Sequence, residues 1–232
     1  GYIFGISKSE DLPQYNLSTS LQNKSESVFS DNATVYNNLS MSVVSIVVYN
    51  STEISSSASG VVYTSDGYII TNDHIYSSVS SPKFVVRFAD GTEYDAEFVA
   101  GDTRSDLAVL KIDAKDLKPA VFGNYNEVLT GESVVAMGYP SGAGVEPIFT
   151  SGTVSAKGTR VTGSSSYSVK MIQTDTPINP GNSGGALVNM YILIPFYSKV
   201  MPIEAIFEAC GKINPYIGSL STYVLFGAAP FN

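Results

Sequence analysis

The run Asn179-Pro180-Gly181-Asn182-Ser183-Gly184-Gly185 carries a serine hydroxyl on a glycine-rich turn. Such a turn can build a nucleophile and its electrostatic support together. Glycines let the backbone fold tightly enough for neighbouring N–H groups to converge on one point. Ser183 would attack a carbonyl there, and the N–H groups of Gly181 and Ser183, with help from Asn182, would hold the negative charge that develops. A glycine-serine turn is also a common surface loop, so the motif needs partners. A serine nucleophile needs a base, usually histidine. The chain has one histidine, His74, in Thr71-Asn72-Asp73-His74-Ile75. The third member is a carboxylate that holds the imidazole tautomer. Asp106, immediately before Leu107-Ala108-Val109-Leu110-Lys111-Ile112, is the candidate. Asp73 is a rival, but chain neighbours rarely face each other as a triad requires, and Asp102 and Asp175 are lesser alternatives.

These residues must be held by strands. Gly67-Tyr68-Ile69-Ile70-Thr71 is β-branched and alternating, which places His74 just past a strand end. Short apolar runs at Ser42–Val48, Phe84–Phe88, Leu107–Ile112 and Ser133–Met137 are separated by Gly, Asp, Asn and Pro, as in an all-β chain. Asp90-Gly91, between Lys83–Ala89 and Thr92–Ala100, is a hairpin signal because the turn needs positive φ. The one helical segment expected is Pro202–Cys210, with proline in the first turn and Gly211 at the stop.

With 232 residues, 44% of them hydrophobic, the chain can bury a large core. A formal net charge of −8 argues against a nucleic-acid partner. One cysteine, Cys210, cannot form an internal disulfide, and one histidine with one cysteine makes no zinc site, so no metal or cofactor is expected. Gly138-Tyr139-Pro140-Ser141-Gly142-Ala143-Gly144 is glycine-rich but lacks the Lys-Ser/Thr ending of a phosphate loop. Residues 1–38 read as an N-terminal linker, since Ser7–Asn38 is rich in Ser, Asn, Asp and Gln.

The order His74, Asp106, Ser183 resembles the trypsin-like serine proteases of the HtrA (Deg) type. The likeness continues through Gly60-Val61-Val62, Phe88-Ala89-Asp90-Gly91-Thr92-Glu93, Asp102-Thr103-Arg104-Ser105-Asp106, Gly138-Tyr139-Pro140, Thr150-Ser151-Gly152-Thr153 and Gln173-Thr174-Asp175-Thr176-Pro177-Ile178. It implies two six-stranded β-barrels, with His74 and Asp106 from the first and Ser183 from the second. It implies endoproteolysis of unfolded or damaged proteins, a homotrimer, and an extracytoplasmic bacterial location with an anchor upstream of this chain. It also implies an activity switch in the segments Gly138–Phe149, Lys157–Val169 and Thr176–Gly181, of which Lys157–Val169 is Gly/Ser-rich and expected to be a mobile loop.

The likeness departs after Ser183. Ala186-Leu187-Val188-Asn189 runs through Met190-Tyr191 into Ile192–Val200, then Met201-Pro202-Ile203-Glu204, leaving the second barrel about one β-hairpin short. The missing strands would wall the substrate pocket, so a protease-fold scaffold without turnover is the main rival reading. A second rival is an esterase-like hydrolase, against which the chain order and the lack of alternating helices argue. The protease domain is expected over 39–210. Residues 211–232 form a tail, with Gly211–Gly218 resembling the start of a truncated PDZ domain.

Overall fold

The computed structural model describes residues 32–103, 106–122, 128–140, 146–162 and 168–189. A short helix α1 (Asn32–Leu39) precedes β1 (Val43–Asn50), β2 (Glu53–Val62) and β3 (Tyr68–Thr71). A single 3₁₀ turn, Asp73–Tyr76, leads to β4 (Pro82–Arg87), β5 (Glu93–Asp102) and β6 (Leu107–Ile112). These six strands close into a barrel in the order β1-β2-β3-β6-β5-β4. The strands β7 (Ser133–Gly138), β8 (Ile148–Thr162), β9 (Ser168–Thr174) and β10 (Ala186–Asn189) make a second sheet in the order β10-β7-β8-β9. The architecture is therefore all-β: one closed barrel and, among the described residues, a four-stranded second sheet. The Pro202–Cys210 helix and the shortened region after Asn189 lie outside the described residues.

The continuous apolar runs have a physical reason. Successive side chains on a strand point to opposite faces. In β1, β3 and β6 both faces are covered. Val44, Ile46, Val48, Ile69, Leu110 and Ile112 fill the barrel with Phe84 and Val86. Their alternating neighbours Val43, Ile70, Leu107 and Val109 pack outward with Val135, Met137, Tyr139, Ala186 and Val188 of the second half. Burying each of the larger of these side chains contributes roughly 1.5–3 kcal/mol. One core thus holds the barrel together and a second glues it to the other sheet.

The turn at Asp90-Gly91 joins β4 and β5, with Gly91 at φ +85° as the hairpin requires. Two segments differ from the sequence reading. Asn32–Leu39, whose first seven residues composition assigns to the linker, is helical because Val35 is buried and Tyr36 and Leu39 pack against the outer core. Tyr36 meets Phe149 edge-on, ring centroids 6.2 Å apart. Lys157–Val169 reads as a loop, yet β8 continues to Thr162 and pairs with β9 from Ser168. Irregularities between Val154 and Ala156 and between Lys157 and Thr159 let this long hairpin bend while the pairing continues.

Candidate active site

β3 is pinned between β2 and β6, and its end feeds the 3₁₀ turn that carries His74. Asn72 stands at the cap position but makes no side-chain cap. Its amide instead donates to the Asp106 carbonyl at 2.8 Å. That carbonyl also accepts the Asp73 N–H at 3.2 Å. Asp106 sits at φ +55°, in the left-handed region that Asp tolerates better than most residues. This kink, just before β6, turns both its carbonyl and its carboxylate toward the His74 turn. Carboxylate Oδ1 accepts the His74 backbone N–H at 2.9 Å. The His74 ring Nδ1 lies 2.9 Å from Oδ1 and 2.8 Å from Oδ2.

A carboxylate only accepts, so the proton of the neutral ring belongs on Nδ1 and Nε2 is left as the acceptor. The Asp106 hydrogen bond raises the His74 pKa above the ordinary value; burial opposes this, and the charges of Asp106 and Asp73 reinforce it. His74 keeps 42% of its side-chain surface exposed, so the ring remains approachable.

Asp73 occupies a different niche. It is buried, and its carboxylate takes the Tyr76 hydroxyl on one oxygen and the Thr103 hydroxyl on the other, the latter at 3.0 Å. Burial and the neighbouring Asp73 push the Tyr76 phenol far above its usual range. Gly101 is what makes room, since a β-carbon there would strike both Asp73 Oδ1 and the Tyr76 hydroxyl. Asp175 directly follows β9, where its carboxylate accepts the Thr153 N–H of β8, the bond that chiefly lowers its pKa. Asp102 ends β5. Of the four acidic candidates, Asp106 is the one hydrogen-bonded to the imidazole.

The Gly181–Gly185 turn is built by two positive-φ glycines, Gly181 at +95° and Gly184 at +82°. The Asn182 N–H donates to the Asn179 carbonyl at 3.0 Å, and the Gly185 N–H to the Asn182 carbonyl at 2.8 Å. Asn182 therefore has its own amide committed within the turn. The N–H groups of Gly181 and Ser183 donate to no acceptor among the described residues. Ser183 is 7% exposed.

The turn is fastened to the barrel. The Ser59 N–H in β2 donates to the Ser183 carbonyl at 2.7 Å, and the Ser59 hydroxyl donates to the Gly181 carbonyl at 2.8 Å. The Thr71 hydroxyl, three residues before His74, donates to the Ser59 carbonyl at 2.8 Å. A β-carbon on Gly184 would collide with that carbonyl and with Thr71 Oγ1. The serine turn is thus seated against β2, which Thr71 ties to the end of β3 that leads to His74. Sequence reasoning did not single out Ser59, Thr71, Asn72, Tyr76 or Thr103 as working parts. A legible signal existed for two of them: Thr71 and Asn72 are polar residues at the end of an otherwise apolar strand, and both are 0% exposed.

Residues 58–191 match the family model described as a trypsin-like peptidase domain. A protein of Pseudomonas savastanoi pv. phaseolicola, described as "Probable periplasmic serine endoprotease DegP-like", is 46% identical over 138 residues, which is 60% of this chain and 28% of that protein. A relative of the same description from Pseudomonas fulva is 44% identical over the same shares. The chain thus spans about 28% of the length of these curated relatives. Among solved structures, the HtrA-type protease AlgW with tripeptide superposes with a TM-score of 0.64 at 36% identity, covering 71% of this chain and 52% of that one. Deg5 superposes with a TM-score of 0.63 at 30% identity, covering 76% of this chain and 90% of that one. With the closed barrel, the second sheet and the matched domain taken together, the chain belongs to the trypsin-like peptidase family, in its HtrA (Deg) branch.

Proposed function

We propose that the chain is a serine endopeptidase domain working by acyl transfer through His74, Asp106 and Ser183. The observation that carries this reading is the Nδ1 pairing of His74 with Asp106 at 2.8 Å, which leaves Nε2 as the basic nitrogen. In the proposed cycle Ser183 Oγ attacks the peptide carbonyl while His74 Nε2 takes its proton. The oxyanion accepts the N–H groups of Gly181 and Ser183, with Asn182 supporting the turn between them. Collapse releases the amine, which takes the proton back from the imidazolium, and leaves an acyl-Ser183 ester. Water then attacks that ester with His74 again as base. Asp106 holds the ring in place and balances the imidazolium charge.

The substrate class we assign is unfolded or damaged polypeptide. The reading is supported by the endoprotease descriptions of the relatives and by the tripeptide in the AlgW structure. The periplasmic description of the relatives supports an extracytoplasmic site of action. Among the described residues no helix is long and apolar enough to cross a membrane. A homotrimer is the assembly we expect, to be checked by sedimentation equilibrium.

A fluorophosphonate probe with mass-spectrometric mapping tests the reading. The expected result is a label on Ser183 that disappears in Ser183→Ala, with β-casein cut faster than a small ester. A folded sample that neither labels nor cuts casein would overturn it in favour of a non-catalytic protease fold.

A further inference from the structure

Ser59 is fully buried, the second residue of the buried stretch Ala58–Val62 of β2. Its four polar functions are all used. The backbone N–H reaches the Ser183 carbonyl at 2.7 Å, and the backbone carbonyl accepts from Thr71 Oγ1 at 2.8 Å. The hydroxyl accepts the Tyr139 N–H at 2.8 Å and donates to the Gly181 carbonyl at 2.8 Å. The direction of the last bond follows from proton counting. A backbone N–H can only donate, so Tyr139 uses a lone pair of the hydroxyl, and the single hydroxyl proton is left for Gly181.

One side chain of the barrel therefore grips the end of β7 and the serine turn at once. The stretch Gly181–Ser183 is held by its two end carbonyls. Holding the Gly181 carbonyl sets the plane of the peptide that follows, and holding the Ser183 carbonyl sets the other end. The N–H groups of Gly181 and Ser183 belong to the peptides that flank the held Gly181–Asn182 unit, and they donate to no acceptor among the described residues. Gly181, at φ +95° with no side chain, has nothing else of its own to stop rotation of the flanking peptides.

We propose that Ser59 is a positioning residue for the oxyanion-binding turn, its hydroxyl latching the Gly181 carbonyl so that the amides of Gly181 and Ser183 stay aimed at the reacting carbonyl oxygen. The proposal rests on the acyl-transfer reading above. It concerns the transition state rather than substrate affinity, because the latch touches no substrate. Outright loss of an oxyanion donor costs about 10²–10³ in turnover. Loosening one sits below that bound, so Ser59→Ala is expected to lower kcat about 10- to 100-fold with KM little changed.

The test compares wild type, Ser183→Ala, Ser59→Ala and Ser42→Ala. Ser42 supplies the control, since its buried hydroxyl also donates to a carbonyl, that of Lys118 at 2.9 Å. Wild-type labelling that is absent in Ser183→Ala establishes the reading on which the proposal rests; its failure strikes that reading rather than the latch. Given an active wild type, a loss of kcat and of fluorophosphonate labelling rate in Ser59→Ala, beyond that of Ser42→Ala at equal loss of Tm, supports the latch. Equal losses in the two variants, or wild-type kcat in Ser59→Ala, would overturn it. Amide hydrogen exchange reads the latch without catalysis. The Asn182 and Gly185 amides, which close the turn, should exchange faster in Ser59→Ala while β1 and β6 amides keep wild-type rates. Unchanged exchange in the turn overturns the proposal. If Ser59→Ala fails to fold, Ser59→Cys, with its weaker thiol donor, takes its place in both measurements.

Discussion

At the scale of single residues, the central relation is between the His74 ring and the Asp106 carboxylate. The carboxylate raises the ring's pKa, so the base is half-charged at a pH above the ordinary histidine value of about 6.5. A general base must be neutral to accept a proton, and the acid limb of kcat/KM against pH should therefore lie above that value. Asp106→Asn should move the limb downward and cut kcat by about 10⁴, as the wrong tautomer does in the worked serine-protease template. A limb left in place in a folded variant would show that Asp106 does not set the basicity. Stability follows with a definite sign. A raised folded-state pKa contributes stability that is fully present below the unfolded value and is lost as pH rises through the folded one. The Tm gap between wild type and Asp106→Asn should accordingly narrow as pH is raised from 5 to 9. The gap should be modest, since the pair is partly exposed.

At the scale of elements, short connections carry the site. The 3₁₀ turn after β3 is braced from below by Asp73, Tyr76 and Thr103, and Tyr76 packs edge-on against Phe84 and Phe98 at 5.7 and 5.2 Å. Tyr76→Phe keeps the ring contacts but removes one partner of a buried carboxylate. It should cost roughly 1–3 kcal/mol in urea denaturation while the fluorophosphonate label still forms on Ser183. The serine turn is less forgiving. Gly184→Ala would put a side chain at φ +82° and drive a methyl into the Ser59 carbonyl. A loss of roughly 1–3 kcal/mol for the backbone conformation alone is expected, together with loss of labelling. A variant of full stability and full labelling would show that the turn has other room to move.

At the scale of the whole molecule, the two cores have different consequences. Ile69 points into the barrel, and its neighbour Ile70 packs between the barrel and the second sheet. Ile70→Ala should cost roughly 2–5 kcal/mol, the usual range for such a cavity. It should also slow Ser183 labelling below the denaturation midpoint, because the strand that carries Thr71 and leads to His74 would lose its seat against β7 and β10. Ile69→Ala should cost as much in stability with a smaller effect on labelling. Equal effects of the two substitutions on labelling would mean that the sheets dock rigidly without Ile70.

Much of this architecture is local chemistry and can be read along the chain. β-Branched runs broken by Gly, Asp and Asn set the strands. Asp90-Gly91 sets a hairpin, because positive φ is a property of the residues themselves. Strand periodicity places His74 and Asp106 at strand ends. Ser7–Asn38 shows where such reading fails. The segment is polar enough to pass for a linker, yet its last residues are helical, because Tyr36 meets Phe149, more than a hundred residues away, and Val35 and Leu39 join the outer core. Lys157–Thr162 is strand rather than loop for a similar reason, since pairing with β9 supplies what its own composition lacks. The choice of Asp106 at the imidazole, with Asp73 in a separate buried niche, is decided by a left-handed kink and by space at Gly101, neither of which has a sequence period. Ser59 is the clearest case. As a residue it is one small polar side chain in a strand; only closure of the barrel against the second sheet brings its one hydroxyl proton to the carbonyl of Gly181.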